Sequence, residues 1–431
     1  MTDITCRGEL GQMQRLKEAT KKHPLMNTLL SVRGNPRLLL FQEPLWGIPF
    51  YLIAPFVTLY MQARGITDIQ IGILLSTGMA IQVVCSFCGG ILTDKFGRKK
   101  MAIITDSLGW AVPALIWSIS GNFWMFLLAT TFNSLEQVAQ TAWVCLLNED
   151  AKEEHIVDIW SWVLIAGQIS VFFAPISGLF IRNTSIISVM RVLYLTFAIF
   201  MFTKAFLTYR FATETARGKI RMEETKGQSI FQMFAGYGKL VPEIFKNKAT
   251  VLTLFVMIGL QCTTMITNNF FSLYTTSKLH VEESLLAIFP IFRAIVVLVF
   301  FFAMPKIMDK IPFKILLVTG LLLYTICQIM LIICPPGNLA ILLAYAFLEA
   351  ISFSLVIPRK EAMLVYYVDN KERARILGLM LSIALLISTP CGFIAGKLAS
   401  IDRQYPFYLN ATIFAIMSIV ILFSKLKKAN S

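Results

Sequence analysis

The residues of this chain that could do chemistry are polar groups set into long apolar runs at helical spacing. Asn133, Glu136, Gln137 and Gln140 recur every three or four positions within one run, which places them on one face of a helix. Gln261, Thr264 and Asn268, with Asn269 adjacent, repeat that spacing in a second run, and Tyr345, Glu349 and Ser352 in a third. Gln42 and Glu43 lie near the start of the first run, and Arg293 stands well inside another. Amides and hydroxyls can hold a polar solute. A carboxyl group away from water bears its charge at a cost, so Glu43, Glu136 and Glu349 are suited to taking up and releasing a proton. The structural alternative for each is a carboxyl hydrogen-bonded to a neighbouring helix. Arg293 keeps its proton at any accessible pH and needs an anion, either one of these glutamates or an anionic group of a bound solute.

The elements that must position these residues are membrane helices. The chain has 431 residues, 56% apolar and 15% charged, with a mean hydropathy of +0.69. Soluble domains carry about 25% charged residues, so soluble, disordered, collagenous and disulfide-framework classes are excluded. Twelve apolar runs, from 38–62 through a fourth at 123–147 to a twelfth at 404–424, are each long enough for a bilayer core of roughly 20 residues. They are continuous, where strands of a membrane barrel would alternate. The expected fold is all-α and membrane-embedded, with both termini on one side. About 32 of the 39 Lys and Arg residues then fall on that side, which the positive-inside rule makes cytoplasmic. The net charge of +14 is thereby spent on orientation and lipid headgroups, and nucleic acid is not an expected partner.

The expected boundaries are a cytoplasmic tail at 1–36, six helices over 37–208, a basic cytoplasmic linker at 209–248, six more over 249–424 and a second tail at 425–431. Leu10, Met13 and Leu16 in the first tail, and Ile230, Phe231, Phe234 and Tyr237 in the linker, have the spacing of surface-lying amphipathic helices. Cys85 and Cys88 form a CxxC inside a continuous apolar helix, and His23, His155 and His280 lie outside the runs, so no metal site, disulfide framework or cofactor is expected.

The chain also repeats itself at half its length. Phe56, Thr58, Leu59 and Tyr60 correspond to Phe270, Ser272, Leu273 and Tyr274; Asp94 and Lys95 to Asp309 and Lys310; Gly121 and Asn122 to Gly337 and Asn338; and Pro175 to Pro390. The offsets run from 214 to 216 residues. A repeat of six helices, an even number, gives two copies of the same orientation, and predicts two pseudo-symmetric six-helix bundles facing each other across a central cleft. The polar faces fall on the first, fourth, seventh and tenth helices, as a shared pore requires. Pro175 and Pro390 are expected to kink matched helices.

After the second run the chain reads Gly90, Ile91, Leu92, Thr93, Asp94, Lys95, Phe96, Gly97, Arg98, Lys99, Lys100. This resembles the signature of the major facilitator superfamily. The resemblance implies twelve helices working by alternating access, a cavity lined by helices one, four, seven and ten, and a cytoplasmic latch made by Asp94, Lys95 and Arg98, with Gly90 and Gly97 permitting close approach and a tight turn. The second copy keeps Asp309, Lys310 and Lys314 but has Pro312 and Phe313 where glycine and arginine would stand. Ala174 to Gly178 is similar to the drug–proton antiporter motif without its leading glycine, and the fourth run has Thr130 and Thr131 near the place of that family's arginine.

No nucleotide-binding loop or catalytic constellation is present, so the chain is not read as an enzyme. The expected function is secondary active transport in the plasma membrane, as proton-coupled efflux of an amphipathic or lipophilic compound by a monomer. Two alternatives remain open: proton-coupled uptake of a small anion held by Arg293, and a transporter-like sensor whose tail or linker binds a partner.

Overall fold

The computed structural model describes residues 31–152, 155–229, 241–304, 310–366 and 373–424. The amphipathic segments expected in the first tail and around 230–237, as well as Asp309, lie outside them. All described secondary structure is helical. Eleven helical segments are long and apolar enough to cross a membrane: Asn35–Ala63, Asp68–Phe96, Arg98–Ile119, Trp162–Asn183, Ile186–Phe211, Lys248–Ser277, Glu283–Phe300, Phe313–Ile332, Leu339–Lys360, Leu379–Ile401 and Tyr405–Phe423.

The fourth expected span is two shorter helices, Phe123–Asn133 and Glu136–Asn148. Ser134 and Leu135 between them keep right-handed helical angles, so the chain continues in its direction, and 26 residues at 1.5 Å rise still cover about 39 Å. The interruption falls within the polar stripe. Asn133 turns its amide to the Gly109 carbonyl of the third span (2.8 Å), and Ser134 donates to the Gly78 carbonyl of the second (3.1 Å). The matched prolines also differ. Pro175 opens a new helix after a break at Phe172 and Phe173, whereas Pro390 lies inside an unbroken one.

Packing repeats across the two halves. Spans one and six, one and five, two and four, three and four, and three and six contact one another in the first half; seven and twelve, seven and eleven, eight and ten, nine and ten, and nine and twelve do so in the second. Hydrogen bonds repeat too. The Tyr60 hydroxyl donates to the Trp117 carbonyl (2.8 Å) and Tyr274 to Leu331 (3.1 Å), both across 57 residues. Asn122 and Asn338 each accept the backbone N–H three residues on, capping the helices that follow.

The halves meet along a pseudo-twofold axis. Thr58 and Ser272, repeat equivalents, share a hydrogen bond of 3.0 Å, which two related residues can do only beside the axis. Spans two and eleven cross closely, and five and eight meet in the equivalent place. A Cβ on Gly396 would lie 2.6 Å from the Asp68 carbonyl oxygen and one on Gly178 only 2.5 Å from that of Ser284, so both contacts require glycine. Asp68–Arg403 (3.2 Å) and Arg182–Glu282 (3.6 Å) tie the same end. One apolar core containing Phe56, Tyr60, Phe270 and Tyr274 spans both halves here, while toward the linker each half has its own core, around Leu146 and Leu147 in the first and Leu317 and Met417 in the second. The halves are therefore joined most extensively at the end remote from the linker, and spans two and eleven carry the contact further toward it through Phe87 and the Ser86–Ser382 hydrogen bond (3.1 Å).

Candidate functional site

Between the halves lies a cavity of about 1060 Å³. Glu43, Asn133, Glu136, Gln137, Gln140, Asn268, Arg293 and Glu349 all line it. Gln261 does not. It is exposed on the same helical face as Asn268, but seven residues, or about 10 Å, nearer the linker end. Gln42 turns away from the cavity, is buried and accepts the Thr208 hydroxyl (3.0 Å). Ser352 is also buried, donating to the Leu348 carbonyl (2.7 Å).

Arg293 finds its anion inside the protein. Its Nε lies 2.9 Å from Glu349 Oε2, and its guanidinium stands 4.3 Å from the centroid of the Phe353 ring. The eighth and tenth spans are thus linked by a charge pair facing the cavity, with its cation also covering an aromatic face. Glu136 instead has an amide partner: Gln82 Nε2 donates to its Oε1 at 2.8 Å. Glu43 makes no hydrogen bond or ion pair with a described side chain, but Lys204 and Asp106 both stand within electrostatic reach of it.

The sequence reading missed a second buried pair on the cavity wall. Lys204 Nζ of the sixth span lies 3.0 Å from Asp106 Oδ2 of the third, both side chains less than 8% exposed. Each sits inside an apolar run, and that was the available signal; their nearness to run ends made them look like orientation charges. Gln82 and an aromatic group were missed as well. Trp46 stacks on Phe50 (4.7 Å between centroids) and meets Trp110 edge to face (5.7 Å), and Trp110 in turn reaches Phe197 (5.8 Å). Phe50 and Tyr51 line the cavity, whereas Phe172 is exposed elsewhere. Opposite, Phe271 stacks on Tyr345 (5.6 Å). The cavity therefore offers apolar and aromatic walls, several amides and four acids, two of them in ion pairs, one held by an amide and one in neither kind of contact.

The signature loop forms a separate cluster at the linker end. Gly97 has φ of 90°, a conformation that favours glycine, and Gly89, next to Gly90, packs against Thr141 of the fourth span. Gly89 thus makes one close approach, and Gly90 is half-buried beside it. Arg98, 3% exposed, pairs with Asp94 (2.8 Å) and Glu149 (3.1 Å). Arg221 of the linker helix Ala216–Glu224 also pairs with Asp94 (2.8 Å). Glu214 accepts the backbone N–H groups of Arg98 and Lys99 at 3.0 Å, and Lys95 donates to the Gln228 carbonyl (2.7 Å). In this conformation Asp94, Lys95 and Arg98 join the first half to the linker. In the second half Lys310 is exposed and Lys314 donates to the Ser424 carbonyl (2.7 Å).

Known proteins agree with this architecture. The chain is 23% identical over 411 residues to the multidrug resistance protein MdtG of Citrobacter koseri, covering 90% of this chain and 92% of that one. It is 26% identical to the uncharacterized MFS-type transporter YqjV of Bacillus subtilis over 132 residues, only 30% of this chain and 32% of the relative. The fold is similar to the crystal structure of the nucleoside transporter NupG, with a TM-score of 0.69 at 14% identity over 90% of this chain and 98% of the other. A family model described as Major Facilitator Superfamily matches residues 45–358 and 294–431. With helices, repeat, signature loop and family match in agreement, the chain belongs to the major facilitator superfamily, whose members are multi-pass membrane transporters.

Proposed function

We propose that this transporter exports an amphipathic or lipophilic compound in exchange for protons, acting as a monomer in the plasma membrane with its linker and termini cytoplasmic. The observation that carries this reading is the cavity itself: about 1060 Å³ between two rocking halves, apolar and aromatic in its walls, with acids that are not all matched by bases. That volume suits a drug-sized solute. The full-length likeness to a protein named for multidrug resistance supports export over uptake. The small-anion alternative is less well supported, because Arg293 already has Glu349 as its partner.

The chemistry follows from two of the cavity acids, Glu136 and Glu349. Glu136, held by an amide and by no cation, can accept a proton without breaking an ion pair. Protonation of Glu349 would release Arg293, loosening the eighth span from the tenth. A solute and a proton that compete for the same acids are not carried together in one direction, and such competition favours exchange. Asp94, Lys95, Gly97 and Arg98 serve as the inner latch, passing from the linker toward the second half when the cytoplasmic side closes.

The test is reconstitution in liposomes with an imposed pH gradient. Solutes from an amphipathic panel should collapse the gradient, and Glu136→Gln should cut that flux by more than tenfold while solute binding persists. Gradient-independent flux unaltered by Glu136→Gln and by Glu349→Gln would remove proton exchange. Full transport after removal of residues 1–30 would argue against a sensor that depends on its tail.

A further inference from the structure

We infer that Cys262 and Cys391 form a redox modification site, a dithiol that a lipophilic hydroperoxide converts to a disulfide, tying span seven to span eleven and fixing the bend of span eleven at Pro390. The site lies outside the solute cavity and involves none of its acids.

Both cysteines are free and lie near the middle of their spans. Although 129 positions separate them in the chain, their sulfur atoms stand 2.7 Å apart, against about 2.05 Å for a disulfide bond. No other sulfur pair among the described residues comes so close. Cys262 is buried, whereas Cys391 is half-buried between exposed Ile387 and Ile394, one turn before and one turn after it. That stripe does not line the cavity, so on a membrane helix it faces the acyl chains. An oxidant dissolved in the bilayer therefore reaches Cys391 first and finds Cys262 behind it.

The chemistry takes two steps. Cys391 sulfur attacks the terminal peroxide oxygen, the O–O bond breaks, and the thiol proton passes to the departing alkoxide, leaving a sulfenic acid and an alcohol. Cys262 sulfur then attacks Cys391 sulfur; the S–S bond forms, the S–O bond breaks, and hydroxide leaves with the Cys262 proton as water. Each sulfur gives up one electron, and the hydroperoxide takes both. The place of the bond gives it a consequence. Pro390, immediately before Cys391, cannot donate to the Leu386 carbonyl, so the unbroken helix is free to bend there. On the other side of Cys391, Gly392 lies against Ser76 of span two, and the Phe393 N–H donates to the Ser76 hydroxyl (2.7 Å). Span seven carries Asn268 of the cavity wall six residues beyond Cys262. A disulfide here joins a cavity helix to the helix on the seam between the halves, at the point where that helix bends.

The test exposes the full-length protein in liposomes to cumene hydroperoxide, unfolds it with N-ethylmaleimide present, and maps its peptides by mass spectrometry. A linked Cys262–Cys391 peptide should appear at least tenfold faster than alkylation is lost at Cys85, Cys88 or Cys327, and dithiothreitol should reverse it. Hydrogen peroxide at the same concentration should act several-fold more slowly. Hydrogen exchange over residues 386–391 should slow at least fivefold on oxidation, and this slowing should vanish in Cys262→Ser and in Cys391→Ser. Melting temperatures report whether the variants fold, and Cys262→Ala serves if a serine variant does not. Two free thiols after treatment, a sulfinic acid without the linked peptide, or pairing with another cysteine would overturn the site. Equal rates with the two peroxides would overturn the approach from lipid, and a linked peptide with unchanged exchange would overturn the fixing of the bend.

Discussion

The two halves of this transporter are built alike where they close against each other and differently where they face the solute. At the closed end, equivalent tyrosines donate to equivalent carbonyls, a glycine on span five and one on span eleven each admit a close backbone contact, and Thr58 meets Ser272 on the axis. Along the cavity the likeness fails. Each half encloses one neutral pair, Lys204 with Asp106 in the first and Arg293 with Glu349 in the second, but only the first half adds further acids, Glu43 and Glu136, outside any ion pair. Closure constrains both copies equally, because a twofold interface needs the same surface from each. The cavity wall has no such constraint, so the two copies are free to differ in the charges they carry there.

The contrast is broken most severely by unpairing the second half. Arg293→Leu leaves Glu349 without its partner, and since the arginine is partly exposed to the cavity and the acid can take up a proton, the loss should be about 1–3 kcal/mol, read as a fall in melting temperature, whereas Arg293→Leu with Glu349→Leu should recover most of that stability. Flux driven by a pH gradient should stay abolished in the double variant. Glu136→Gln in the first half should behave oppositely, with its melting temperature nearly unchanged, because the amide that replaces the carboxyl still accepts from Gln82.

Equivalence at the closed end can be sharpened with the glycine pair. Gly396→Val and Gly178→Val should each force the halves apart there and raise labelling of a cysteine placed at Ser272 by a water-borne thiol reagent about tenfold. If only one of them does so, the two contacts are not equivalent in closure. A smaller asymmetry is expected at the linker end, where only the first half has the full signature loop. Arg221→Ala removes a partly exposed partner of Asp94, should cost about 0.5–1 kcal/mol, and should speed proteolysis within the linker without altering solute affinity.

The smallest effect concerns acid. Partial burial pushes the Asp402 carboxyl up, but hydrogen bonds from Lys278 and the Gln404 N–H, with the Lys278 charge, outweigh it and hold Asp402 below the ordinary carboxylate range. A depressed acid stabilises the fold above its unfolded value and loses that contribution as pH falls through the folded one. Melting temperature measured from pH 5 down to pH 3 should therefore fall slightly less in Lys278→Ala than in the unaltered protein, the difference staying small because both groups are partly exposed.

Much of this was legible in the chain. Apolar run length gave the spans. The half-length repeat foretold both the bundle pairing and such specific counterparts as Tyr60 with Tyr274. Helical spacing brought Asn133, Glu136, Gln137 and Gln140 to one cavity-facing stripe, and Asn268 and Glu349 to the other side. What spacing does not contain is partnership between helices. Arg293 had three glutamates to choose from, and the choice of Glu349 depends on which faces of spans eight and ten meet. Lys204 and Asp106 lie 98 positions apart and become a pair only when spans three and six pack. The break at Ser134 and Leu135 likewise has no glycine or proline to announce it.

By itself the sequence determined which stretches lie in lipid, that they come in two copies and which helix faces are wet, because hydrophobicity and helical period are local properties repeated along one chain. Only the tertiary structure decided which acids are neutralised and which stand free, since a buried charge is defined by the side chain that packing sets opposite it. The same packing places the latch residues with the linker, and Glu43 beside a wall of aromatic rings.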